Sequence, residues 1–251
     1  MSRTGFLAPV VTATGAIALW WWLTDALDIR AFFLPSPPDI VAAFRQQPRY
    51  LVAELGHTVA STLLGFGLAA AAGVLIAIGL TSSGLIQRAT LPLLVAVNAV
   101  PKVAIAPLLV VWLGFGLQPK IVLVVLISFF PIVLSASAGL TSLPIELTEL
   151  SRSMAASRWQ AYARFRLPWA LPQIFVGLKV GATLAVIGAV VAEISSPQSG
   201  LGAVIALSSA NADTPLAFAA VLLLALLSIM LFYTVVAVER LALPWARAIT
   251  G

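Results

Sequence analysis

The chain has 251 residues, of which 61% are apolar and 9% charged, against roughly 25% charged in an ordinary soluble domain. So few polar side chains cannot cover a protein of this size, and lipid must be the solvent for most of its surface. The formal charge of +5, from 14 basic and 9 acidic residues, fits basic loops on the cytoplasmic side of a membrane. It does not point to a nucleic-acid partner. Cysteine is absent and His57 is the single histidine, which excludes a disulfide framework, a thiolate site and most multi-histidine metal sites.

The first apolar run, Gly5 to Leu23, follows only Arg3 and is followed by Thr24-Asp25-Ala26. No small-x-small cleavage pattern ends it, and its length suits a retained spanning helix better than a signal core. Next, Pro35-Ser36-Pro37-Pro38-Asp39 is a turn and helix-start signal. It introduces the amphipathic stretch Ile40 to Phe44, read as a helix on the outer leaflet or as a contact surface for an external partner. The second span, Thr58 to Leu80, carries no charge and is rich in small residues that let helices approach closely in lipid.

The third span, Ala89 to Leu113, is interrupted by Pro92, Pro101 and Pro107 and contains Lys102. A central Lys costs roughly 2.5–3.5 kcal/mol on insertion, while each Leu, Ile, Val or Phe returns about 0.3–0.6. Thirteen such residues lie in this span, so insertion still wins. An intramembrane charge faces the bundle interior by default, and the prolines predict a broken helix. Lys102, with Asn98 one turn earlier, is therefore a candidate to line a solute path. The competing reading pairs Lys102 with a carboxylate such as Glu193, which then shares the candidacy. The fourth span is Ile121 to Thr141, the fifth about Gln173 to Ile194, and the sixth about Pro215 to Val238. Lys179, in the fifth, is near enough to the cytoplasmic end to snorkel.

Orientation follows from Lys and Arg. With the N-terminus cytoplasmic, inside segments hold Arg3, Arg88, Arg152, Arg158, Arg164, Arg166, Arg240 and Arg247. Outside segments hold Arg30, Arg45, Arg49 and Lys120. Eight against four favours N-in and C-in. The expectation is one all-α transmembrane domain over residues 1–251, a polytopic helical bundle of about six spans.

The segment 142–172 is too polar to cross and too patterned to be a plain loop. Glu146 and Glu149 favour a helix N-terminus, and Leu147, Leu150 and Met154 recur at helical spacing. Ala155-Ala156-Ser157 breaks the pattern. Ser157 is placed to cap a second helix from Arg158 to Leu167, which Pro168 is expected to end. The result is a basic hairpin, suited either to lipid headgroups or to a protein partner.

Glu149 to Ser157, continued to Phe165-Arg166-Leu167-Pro168, resembles the EAA loop of ABC importer permeases. Glu149, Phe165, Leu167 and Pro168 match that pattern. Leu150 and Ser151 replace its two alanines, and Ala155 replaces its glycine. A glycine there allows a positive φ, which carries a penalty for Ala. The resemblance extends through Leu34-Pro35-Ser36-Pro37, Pro101 to Leu108, Val111 to Gly116, Phe130 to Val133, Val191-Ala192-Glu193 and Ser199-Gly200-Leu201-Gly202. Together these are similar to the nitrate/sulfonate/taurine branch.

The resemblance implies a multi-pass permease of a bacterial inner membrane, not an enzyme, with no cofactor of its own. No Gly-Lys dipeptide is present, as a phosphate-binding P-loop would require, so ATP belongs to partner ATPase subunits. The resemblance further implies a second copy of the permease in a homodimer and an extracytoplasmic solute-binding protein. Glu149, Leu150, Arg152, Met154, Ala155 and Ser157 would form the coupling contact with the ATPase. The solute would be nitrate, a sulfonate or taurine, or a pyrimidine-type vitamin precursor or riboflavin. The competing class is an ion-gradient-driven secondary transporter or channel, for which broken helices and a midplane charge also fit.

Overall fold

The apolar runs fold as helices because lipid offers a backbone N–H or C=O no partner outside its own segment. A computed structural model describes residues 3–246; Arg247, counted above for orientation, lies outside the described residues. The chain runs through α1 (Arg3–Ala26), α2 (Pro37–Gln46), α3 (Pro48–Thr81), α4 (Gly84–Asn98), α5 (Lys102–Leu113) and α6 (Leu117–Thr141). Then follow α7 (Ile145–Ser153), α8 (Arg158–Ala161), a π-helical turn (Tyr162–Arg166), α9 (Leu167–Ser195), α10 (Leu201–Ala210) and α11 (Thr214–Ala242).

Four helical stretches among the described residues are long and apolar enough to cross a bilayer: Pro48–Thr81, Leu117–Thr141, Trp159–Ser195 and Thr214–Ala242. The pair α4 and α5, bent by 82°, makes a fifth if it counts as one broken span. The all-α bundle is thus as expected, with four or five of the six expected spans identified by length and hydropathy.

Helix α3, at 34 residues, is about 51 Å long at 1.5 Å per residue. It overruns a 30 Å hydrocarbon core, so its first turns carry Glu54 and His57 beyond the apolar stretch that begins at Thr58. Helix α6 starts four residues earlier than the expected span, at Leu117. This moves Lys120 from the expected outer loop into the bundle, where it is only 5% exposed.

Helices α3, α6 and α9 form the centre. A Cβ on Gly65 would lie 2.5 Å from Val124 Cβ, and one on Gly188 would lie 2.9 Å from Val124 Cα. The absent side chains let α3 and α9 close on α6 from both sides, the packing that small residues permit in lipid. Leu123, Val124, Ile132, Ala182, Ala185 and Ala189 are buried there. Helix α10 is too short to cross, and it packs against α9, α11 and α3.

The helix start read at Pro35–Asp39 is present. Ser36 begins α2, and the Asp39 carboxylate accepts from Ser36 N at 2.9 Å and Ser36 Oγ at 2.6 Å.

Candidate functional site

The hairpin begins where α6 ends. The indole Nε1 of Trp169 donates to the Ser142 carbonyl at 3.2 Å, tying the foot of α9 to the end of α6. Helix α7 then carries Glu146 in its first turn and Arg152 in its last, each complementing the helix dipole. Glu149, Leu150, Arg152 and Met154 are exposed, while Ser151 is buried. Leu150 and Met154 expose 48% and 66% of their surface, and the neighbouring Trp159 exposes 76%. Apolar side chains this open on a polar hairpin suit contact with a partner.

The turn has a defined geometry. Ala155 N donates to Arg152 O at 2.9 Å and Ala156 N to Ser151 O at 3.0 Å. This crossed pair is the Schellman closure, which requires a left-handed residue just past the helix end. Ala155 supplies it with φ +50°. The sequence comparison had placed Ala where the EAA pattern has Gly, and the chain keeps the left-handed turn despite the Cβ. Ser157 then caps the next helix as expected. Its N–H donates to Gln160 Oε1 at 2.9 Å, and its Oγ accepts from Gln160 N at 3.3 Å, a reciprocal capping box.

One expectation is corrected. Pro168 does not end the second arm, because the helix continues from Trp159 to Ser195. The wider π-turn at Tyr162–Arg166 ends two residues before Pro168 and includes Arg164, four residues back from it. It relaxes the backbone where proline would otherwise clash with the carbonyl four residues back. The second arm of the hairpin and the fifth expected span are therefore one rod.

The third expected span is broken where its prolines predict. Helix α4 ends at Asn98, Pro101 precedes α5, and Lys102 is its first residue. Lys102 Nζ donates to the Asn98 carbonyl at 3.2 Å and also to Asn98 Oδ1. Lys102 and Asn98 are thus brought together at the elbow. Glu193 is not paired with Lys102. It is fully buried at the other end of a different network, accepting from Thr58 Oγ1 and Gly202 N, each at 3.0 Å, and from Ser61 Oγ at 3.5 Å. Lys179 finds a carboxylate instead of snorkelling, pairing with Glu239 of α11 at 2.8 Å.

Reading the sequence alone missed Glu54, Thr58 and Lys120 as partners of the Ser199–Gly202 motif, and Ser61 as a partner of Glu193. The spacing Glu54, Thr58, Ser61 places all three on one face of a helix, which was the available signal. Among the described residues no cluster of His, Cys, Asp or Glu suits a metal ion.

A bundle of apolar helices with one broken span and a polar hairpin between two of its long helices has the architecture of a membrane transport permease. The chain belongs to the family described as binding-protein-dependent transport system inner membrane component, whose model matches residues 63–243. It is the permease subunit of an ABC importer, a multi-pass protein of the inner membrane and not an enzyme. Membership implies partnership with ATPase subunits and a solute-binding protein. The chain is 36% identical over 217 residues to the riboflavin transport system permease protein of Chloroflexus aurantiacus, covering 86% of this chain and 81% of the relative. It is 32% identical to the formylaminopyrimidine transport permease protein of Halalkalibacterium halodurans, covering 90% and 91%. The taurine transport system permease protein of Escherichia coli is 30% identical, covering 91% and 86%.

Proposed function

We propose that two copies of this chain form the solute path of the importer and that the elbow at Asn98–Lys102 lines it. The observation that carries the reading is the break itself. It places a cationic side chain and non-helical backbone within an apolar span, and such backbone is tolerated in a membrane only inside protein or along a cavity. The topology is six spans with both termini cytoplasmic, α1 crossing first and α4–α5 counting as one. Consistent with this, the starts of α3 and α6 meet the end of α9 through Glu193, Thr58, Lys120 and Ser199. The end of α6 meets the start of α9 through Ser142 and Trp169.

The hairpin 142–172 docks on the ATPase. Leu150 and Met154 enter an apolar cleft, Glu149 and Arg152 make polar contacts at its rim, and Ala155 with Ser157 sets the turn. Because the second arm is one rod with α9, a push on the hairpin moves the centre of the bundle without an intervening loop.

The solute is a nitrogen heterocycle, riboflavin or a pyrimidine-type vitamin precursor, a class supported by the relatives named for riboflavin and formylaminopyrimidine. A sulfonate is the second reading, favoured by Lys102 at the elbow and by the taurine relative. The test is uptake into proteoliposomes holding the permease, its ATPase and its binding protein. ATP-dependent uptake of riboflavin or a formylaminopyrimidine, reduced at least about tenfold by Lys102→Met, is expected. Uptake of taurine alone overturns the solute class. Unchanged kinetics in Lys102→Met overturn the path assignment.

A further inference from the structure

The Ser199–Gly202 segment has no part in the function so far, yet it makes five hydrogen bonds to side chains of three other helices. Three consecutive N–H groups at the start of α10 each find a side-chain acceptor on another helix. Gly200 N donates to Glu54, Leu201 N to Thr58 Oγ1 at 2.8 Å, and Gly202 N to Glu193 at 3.0 Å. From α6, Lys120 Nζ donates to Ser199 O at 2.6 Å and Ser199 Oγ at 2.9 Å. Thr58, Ser61 and Glu193 are completely buried. Gly200 has φ +99°, and a Cβ there would fall 2.1 Å from the Glu193 carboxyl carbon, so the loop closes onto the carboxylate as only glycine allows.

An acid and a lysine buried in an apolar bundle, here Glu193 and Lys120, are costly unless each is fully hydrogen-bonded, and a partly satisfied network is worse than none. Here the donors and acceptors answer one another across α3, α6, α9 and α10. The same place supports the broken span. Helix α5 rests through Ala106 and Leu109 on Leu123 and Ala192. Leu123 is one turn from Lys120, and Ala192 adjoins Glu193.

We infer that Thr58, Lys120 and Glu193, with the half-buried Glu54 at the rim, form a latch on the start of α10, and that this latch positions the surface on which α5 and its elbow lie. Glu193 is therefore a positioning residue. The inference rests on the elbow being the solute path for its consequence in transport, but the latch can be read separately.

The chain has no cysteine, so a single Val103→Cys, at a site 59% exposed beside Lys102, reports on α5 alone. Met230→Cys on α11, 67% exposed, is the control. In the assembled transporter, Glu193→Gln is expected to change the maleimide labelling rate at position 103 at least about threefold, consistent with the loss of a charged hydrogen bond. The rate at position 230 should stay the same. Thr58→Val, of nearly the same shape, should shift position 103 in the same direction by less, which keeps the test open if Glu193→Gln fails to assemble. Equal changes at both positions, or none at position 103 in either variant, overturn the latch. A labelling change with transport unaffected retains the latch and overturns the elbow as the path.

Discussion

Replacing Ala155 with glycine should stabilise the hairpin, although glycine usually weakens structure. Ala155 sits at φ +50°, where a Cβ crowds the following carbonyl at a cost of about 1–2 kcal/mol. Glycine removes that cost but gives the unfolded turn more freedom, worth about 0.4–1 kcal/mol in the other direction. The net gain is about 0.5–1 kcal/mol, or roughly a two- to fivefold fall in local opening. Hydrogen exchange at Ala155 and Ala156, whose amides close the turn onto Arg152 and Ser151, measures it directly. Ala138→Gly, at an exposed position within α6, is the internal control. There φ is helical, and the same substitution should destabilise by about 1 kcal/mol. If Ala155→Gly speeds exchange as Ala138→Gly does, the left-handed closure of the turn is wrong.

Three further outcomes follow from the packing. Ala155→Glu keeps insertion but places a bulky charge in the docking turn; transport should fall at least about tenfold while ATPase activity becomes uncoupled from solute, and unchanged transport would refute the coupling assignment. Lys179→Met strands Glu239, whose ion pair is 21% exposed on each side; thermal unfolding should show a loss on the order of 3 kcal/mol, much of it recovered when Glu239→Leu is added. Gly188→Ala drives a Cβ to 2.9 Å from Val124 Cα and should cost about 1–3 kcal/mol. Gly67→Ala meets nothing within 4 Å and should be neutral or gain up to about 1 kcal/mol; matching losses in the two variants would contradict the close approach of α9 to α6.

Much of this protein was readable before any coordinates, because lipid imposes a strict rule. A chain so poor in charge must be helical in the bilayer, and its prolines must break the helix that carries Lys102. The elbow at Asn98–Lys102 and the helix cap at Ser157 came from such local rules. The hairpin was also legible, since its helix period, acidic start and basic end lie within a few turns of each other. The extent of its second arm was not, because Pro168 normally stops a helix and the π-turn that accommodates it leaves no plain sequence mark.

The partners of the buried charges lay beyond any local pattern. Glu193 is 135 residues from Thr58 in sequence and Lys120 is 79 from Ser199, and periodicity on one helix does not say which other helix its polar face will meet. Lys179 looked like a residue reaching for the interface until α11 brought Glu239 against it. Amino-acid order settles which segments leave water and where they must turn. Which charge answers which depends on how α3, α6 and α9 close on one another, since a buried ion is stabilised only by donors and acceptors that packing delivers to it.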